Sequence, residues 1–258
     1  MIKMKPTFET TSKLNQKQIN ELGRVVLTMP VYNEIEVIEE VVRKNFAYIS
    51  KFPNSNLIIS EDGSTDGTKE LLQKLQKELG FTLHSSPTRK GASRGIKNAL
   101  KFALKAGGDI ILITDSDNQH EPSDFSLLLK QIDRFDMVVG WKYPRRDPHW
   151  RRLGSKGWNF FIRMLFGVSL HDVNCGFRAI RKEVLEKVLQ ETETFEECPL
   201  SELSIRAKFA GFSQTEVPIT HYVRNTKPKA WNPKKIPKMA LNLFFSCLKV
   251  RLELNQKR

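Results

Sequence analysis

Short apolar runs punctuate the chain: VVLTMP at 25–30, NLIIS at 56–60, FTLHS at 81–85, DIILIT at 109–114 and MVVG at 137–140. Each has the length of a strand. Between them lie longer stretches whose apolar residues recur every three or four positions, as in a helix with one buried face. In the first, Ile38, Val41, Val42 and Phe46 keep that spacing, and Asn33 with Glu36 three residues on reads as a cap at its start. Residues 66–79, 91–106 and 122–134 read as further amphipathic helices. Strand and helix alternating in this way predict an α/β fold, a parallel sheet covered on both faces. Ligands of such sheets bind beyond the carboxyl ends of the strands.

After Gly140 the rhythm breaks. A loop rich in Pro, Arg and Trp (141–153) leads to a helix over 154–166, a strand-like CGFRAI, helices over 182–190 and 200–210, and a final strand, SQTEVPITHYV. From Ile236, Met239, Ala240, Leu243, Phe244, Cys247, Leu248 and Leu252 recur at helical steps opposite Lys238, Lys249 and Arg251. That is a basic amphipathic helix, suited either to a membrane surface or to packing on the body of the protein. The expected organisation is a polar tail (1–22), one main folded body (23–223), and a basic loop with its helix (224–258). No secretory h-region is visible in MIKMKPTFETTSK, and no run approaches the roughly 18 apolar residues that span a bilayer.

Charge sharpens this division. The 258 residues carry 42 Lys and Arg against 29 Asp and Glu, a net +13. Residues 140–163 hold +6 and residues 224–258 hold +9, which leaves the remainder at −2. All four tryptophans, Trp141, Trp150, Trp158 and Trp231, fall in those two basic segments. Basic charge mixed with indole suits a surface that meets phosphates at an apolar boundary, lipid headgroups or nucleic acid; a solvated basic rim is the plainer reading. Cys175, Cys198 and Cys247 lie far apart without CxxC spacing, so neither a zinc site nor a disulfide framework is indicated.

Acidic residues fall where the strands end. In ILITDSDNQH, Asp115 and Asp117 follow an apolar strand two residues apart, so in extended chain both carboxylates face one side. Paired hard oxygens at an open edge suit Mg2+ or Mn2+ bridging a diphosphate, because such cations take phosphate oxygens to complete their shells. Asp is also a common turn residue, and a lone DxD carries little weight. Here it is joined by SEDGSTDGT at 60–68, which sets Asp62 at the same edge, and by MPVYNE, which brings Tyr32 to stack on a base and Glu34 to accept hydrogen bonds. Three strand ends thus carry groups able to hold a nucleoside diphosphate. No GxGxxG follows the first strand and no GxxxxGK(S/T) occurs, so neither a dinucleotide fold nor a phosphate loop is supported. Lys90, Gly91 and Arg94 stand at a helix start, where they either line a donor site or simply open the helix.

The motifs PxYNE, EDGSxDGT and DSDxQH at this spacing resemble the family-two glycosyltransferases of GT-A fold. GWKY at 140–143, SKGWN at 155–159, CGFRAIRKEVL at 175–185 and EVPITHYVRN at 216–225 are similar to dolichyl-phosphate mannosyltransferases and related polyprenyl-phosphate sugar transferases. The likeness runs from about residue 24 to 250 and implies a Rossmann-like, mostly parallel sheet flanked by helices. Position by position, it implies that Pro30, Tyr32, Glu34 and Asp62 hold the nucleoside. Asp115, Ser116 and Asp117 would handle ribose, diphosphate and metal, with Gln119 close to the transferred sugar, so Asp115, Asp117 and Gln119 form the catalytic group. Lys142, Arg224 and a lysine soon after it, Lys227 or Lys229, would contact phosphates. The pattern is departed from three times: Glu61 replaces the first Asp of DDGS, Lys142 replaces an Arg and its bidentate fork, and NTKPKAW replaces GxSK after Arg224.

Transfer to an alcohol needs a base, and in the second half only Glu196, Glu197 and Glu202 are candidates. A phosphate-monoester acceptor is already anionic and needs positioning more than deprotonation. Lys142, Arg152, Lys156, Arg178 and Arg224 are the cations available to hold it. The expected activity is inverting, metal-dependent transfer of a hexose, mannose from GDP-mannose first, to a polyprenyl (dolichyl) phosphate. The protein would sit peripherally on the cytoplasmic face of a membrane, with room for a partner protein that anchors it. A soluble or polysaccharide hydroxyl acceptor, or a UDP-sugar donor, is the alternative. A nucleic-acid or membrane adaptor would account for the charge but leaves the polar strand ends unexplained, so no nucleic-acid partner is expected.

Overall fold

The computed structural model describes residues 14–224 and 236–256. Among these, strands β1 (Val25–Val31), β2 (Asn56–Glu61), β3 (Thr82–Ser85), β4 (Ile110–Ile113), β5 (Met137–Lys142), β6 (Arg178–Arg181) and β7 (Gln214–Ile219) form one sheet, in the order β3-β2-β1-β4-β6-β5-β7. Helices α1 (Gln16–Glu21), α2 (Ile38–Ile49), α3 (Thr68–Leu79), α4 (Ala92–Lys105), α5 (Phe125–Leu129), α6 (His149–Phe166), α7 (Lys182–Val188), α8 (Pro199–Phe209) and α9 (Ile236–Gln256) accompany it. The α/β class and the mostly parallel sheet are those the sequence predicts. Val25, Val26 and Leu27 of β1 and Ile111 and Leu112 of β4 are fully buried, as central strands covered on both faces must be.

The alternation of runs would put β5 beside β4. Instead β6 lies between them, antiparallel to both, while the other pairings are parallel. The pattern of apolar runs carries no direction for a strand that arrives after the rhythm has broken. Ile113 pairs with Arg178, so the residues entering β6 are delivered beside the end of β4.

Several boundaries differ from the expectation. The predicted cap at Asn33 does not form: its backbone is left-handed (φ 54°), and its side chain accepts the Thr65 N–H at 2.8 Å. The helix expected over 122–134 is a 3-10 turn (Pro122–Asp124) followed by the short α5, whereas α6 starts five residues before the predicted 154. The final strand, predicted over 213–223, ends at Ile219. Within the stretch expected to be a polar tail, α1 is opened by a capping box of Asn15 and Gln18, and Leu22 is buried.

The single apolar face expected of α9 is two faces. Leu243, Cys247, Val250 and Leu254 are buried against the body, where Arg206 of α8 donates to Glu253 at 2.9 Å. Leu241, Phe244, Phe245, Leu248 and Leu252 point outward and stay exposed. Helix α6 has the same double character, with Ile162 and Phe166 inside and Leu153, Phe160 and Met164 67–72% exposed. The rings of Phe161 and Phe244, 6.4 Å apart, join the two helices. No helix among the described residues is long and apolar enough to cross a membrane.

Candidate active site

Strand register assembles the site. Val31 pairs with Glu61 and Thr28 with Ile113, so the carboxyl ends of β1, β2 and β4 open side by side. A cavity of about 360 Å³ at this edge is lined by Pro30, Tyr32, Glu34, Asp62, Asp115, Ser116, Asp117, Gln119 and Arg224, all predicted from sequence. Arg89, Gly95 and Arg151 line it as well.

Tyr32 has the Arg89 guanidinium over its ring at 4.2 Å, which leaves one aromatic face for a base. Asp62 spends both carboxylate oxygens on the backbone N–H groups of Lys90 and Gly91, each at 2.9 Å, and thereby fixes the loop that carries Arg89. Gly63, at φ +71°, permits this approach: a Cβ there would lie 2.6 Å from the backbone nitrogen of Arg89. Glu61 accepts the Ser64 N–H and so tightens the same turn. Of the helix-start residues, Arg94 faces Glu193 at 3.9 Å rather than the cavity.

Asp115 lies against the strand-entering CGF segment. A Cβ on Gly176 would sit 2.6 Å from the Asp115 Cγ, so only glycine leaves room for that carboxylate. Burial pushes the Asp115 carboxyl above the usual carboxylate range against the pull of Lys142. Burial, with Asp115 as a charged neighbour, does the same to Asp117. Among the described residues no three His, Cys, Asp or Glu side chains gather as a metal site. Two carboxylates at an open edge fit a hard cation that fills its shell from phosphate, and fit poorly one that needs a complete protein cage.

Arg224 is brought in from far along the chain. His120 and His221 form an antiparallel bridge, the Tyr222 N–H donates to the Gln119 carbonyl at 2.9 Å, and Gln119 Nε2 donates back to the Tyr222 carbonyl at 3.1 Å. Burial holds both imidazoles neutral, His120 pushed down to about 3 and His221 to about 4. Beyond this clasp Arg224 donates to Glu34 at 2.7 Å and to Asp117 at 3.3 Å.

The predicted acceptor cations do not converge. Arg178 is fully buried and structural: it donates to the Cys175 carbonyl at 2.7 Å, the Val173 carbonyl at 2.6 Å and Ser204 Oγ at 2.8 Å, so it cannot meet a phosphate. Its role is to pin the 173–175 loop. Lys142 is not among the cavity-lining residues; its ammonium stands 4.0 Å from Asp172. Burial would lower its pKa, but the carboxylates of Asp172 and Asp115 outweigh that and raise it. Arg152 and Lys156 ride on α6 outside the cavity, which Arg151 lines instead. Lys227 and Lys229 lie outside the described residues. Arg89, Arg151 and Gly176 were missed as site residues, although RKGASRG, the basic 140–163 segment and CGFR contain them.

The pattern of Glycosyl transferase family 2 matches residues 27–189. The chain belongs to this family and is a glycosyltransferase. It is 33% identical over 208 residues to the polyprenol monophosphomannose synthase of Mycolicibacterium smegmatis, covering 76% of this chain and 77% of that protein. With the undecaprenyl-phosphate 4-deoxy-4-formamido-L-arabinose transferase of Salmonella paratyphi A it shares 27% over 207 residues, which span 79% of this chain and 61% of the relative. The fold matches glucosyl-3-phosphoglycerate synthase from Mycobacterium tuberculosis, solved with Mn2+, UDP and glucosyl-3-phosphoglycerate, at a TM-score of 0.65. Identity there is 17%, over 93% of this chain and 86% of that one.

Proposed function

We propose that this glycosyltransferase moves a hexose, mannose from GDP-mannose first, onto a polyprenyl phosphate with inversion. Asp115 and Asp117 would hold Mg2+ or Mn2+, Tyr32 and Arg89 the nucleoside, and Arg224 the phosphates. The observation that carries a phosphate acceptor is the lack, among the described residues, of a carboxylate placed as a base. Glu202 is fully buried, accepting the Thr194 and Phe195 N–H groups at 2.8 Å and facing Arg206 at 2.8 Å, and neither Glu196 nor Glu197 lines the cavity. Of the carboxylates that do line it, Asp62 holds the loop amides, Asp115 and Asp117 would hold the cation, and Glu34 stands beside Tyr32 at the nucleoside end. An acceptor that arrives ionised needs only to be aimed at the anomeric carbon. The bound cation would stabilise charge on the departing diphosphate. The names of the two lipid-phosphate relatives support the same acceptor.

The test is transfer from radiolabelled GDP-mannose with Mn2+ to polyprenyl phosphate in detergent, beside arms with UDP-glucose and with soluble sugar acceptors. An organic-extractable labelled lipid is expected from GDP-mannose. Label passing only from UDP-glucose would move the donor assignment, and label found only in soluble sugars would overturn the lipid acceptor.

A lipid acceptor calls for contact with a membrane, on its cytoplasmic face if the donor is cytosolic. The outward stripes of α6 and α9, with Lys156, Arg163, Lys238 and Lys249 exposed among them, suit an anionic interface. Replacing Phe245 and Leu252 together by Ser should lower affinity for vesicles rich in phosphatidylglycerol by about tenfold or more, from the apolar area withdrawn. Unchanged flotation of the double variant would remove this face from the proposal.

A further inference from the structure

The guanidinium of Arg224 stands where the donor's charges would be handled. Its Nη2 lies 2.7 Å from Glu34 Oε1 and its Nη1 3.3 Å from Asp117 Oδ2, an ion chain across residues that all line the cavity. The backbone leading to it is tied down by the His120–His221 bridge and the paired Gln119–Tyr222 hydrogen bonds. Only the side chain, 19% exposed, has to move. A divalent cation and a guanidinium repel each other and would compete for the Asp117 carboxylate. A diphosphate attracts both.

We propose that Arg224 is a resident counter-cation that couples metal binding to donor binding. While the cavity is empty it neutralises Glu34 and Asp117 and holds off the divalent ion. When a diphosphate enters, the guanidinium turns to the phosphate oxygens and leaves Asp117 to the metal. The inference rests on reading the cavity as a nucleotide-sugar site, and it adds an order to the loading of that site. Metal and nucleotide bind as a pair, each raising the affinity for the other by the same factor. Metal binding ahead of the donor is thereby suppressed. A residue that merely touches phosphate would weaken nucleotide binding when removed and leave metal affinity in the nucleotide-free protein untouched.

Mn2+ titrations followed by the electron paramagnetic resonance of the free ion separate these cases. They are run on the full chain without nucleotide and with GDP or UDP, for wild type, Arg224→Gln and Arg224→Lys, with melting curves confirming the fold. Without nucleotide, Arg224→Gln should bind Mn2+ about tenfold tighter than wild type, and the gain on adding nucleotide should shrink by a similar factor. Arg224→Lys, which keeps the charge, should stay closer to wild type. Equal Mn2+ affinity of wild type and Arg224→Gln without nucleotide would overturn the counter-cation, while Mn2+ binding strengthened by nucleotide would leave the donor site standing. Absence of Mn2+ binding by every form, with and without nucleotide, would overturn the cation site and this inference together.

Discussion

Asp117→Asn is expected to cut sugar transfer by about 10²–10³-fold, the scale on which a preorganised electrostatic group is lost, while the melting temperature stays level or rises. The substitution keeps the shape of the side chain, and an amide oxygen can still accept the Gln119 N–H that now lies 3.3 Å from Asp117 Oδ1. What it removes is charge. Burial and the neighbouring Asp115 hold the Asp117 carboxyl above its ordinary range, so in the folded protein it ionises less readily than in the unfolded chain. The sign follows: protonation favours the folded state, and stability is lost as the pH rises from the ordinary carboxylate range through the raised value. At neutral pH that cost is present, offset in part by Arg224, and the Asn variant escapes it. Transfer from GDP-mannose with Mn2+, measured beside a thermal melt, checks both halves. Transfer near the wild-type rate would remove Asp117 from the cation site.

That pairing of lost activity with retained stability reflects how the site is built, and it bears on what could be read in advance. The acids at the ends of β1, β2 and β4 were legible because a parallel sheet puts successive strand ends at one edge, and Asp62, Asp115 and Asp117 each follow an apolar run. Arg178 was misassigned for a related reason. In a strand buried on both faces, alternation no longer separates inside from outside, so its charge suggested a surface role while the fold spends it on the Val173 and Cys175 carbonyls. The outward stripe of α9 was hidden because steps of three and four residues read alike whether they describe one face or two neighbouring ones. Arg89 and Arg151 stand in a loop and at the start of α6, and only the tertiary path of each segment turns them toward the cavity.

Gly176→Ala is the other large effect expected, and it reaches the cavity without altering a charged group. The added Cβ would sit 2.6 Å from the Asp115 Cγ and from its Oδ2, so one side of that contact must give. The backbone side is held: Arg178 grips the carbonyls of Cys175 at 2.7 Å and Val173 at 2.6 Å, and the Phe177 carbonyl accepts the Gly140 N–H at 2.8 Å. The Asp115 carboxylate therefore has to swing out of the place in which, on the proposed reading, it would share a cation with Asp117. Overpacking of this kind costs about 1–3 kcal/mol of stability. Transfer should fall by about 10²-fold, because a misplaced charge near the reacting centre is nearly as damaging as a missing one. A stability-matched control separates the two effects: Val184→Ala, buried in α7, should lower the melting point comparably through a cavity yet leave transfer and Mn2+ affinity near wild type below the melting point. If Gly176→Ala kept wild-type Mn2+ affinity and wild-type transfer, the Asp115 carboxylate could move without consequence and would have no part in holding the cation.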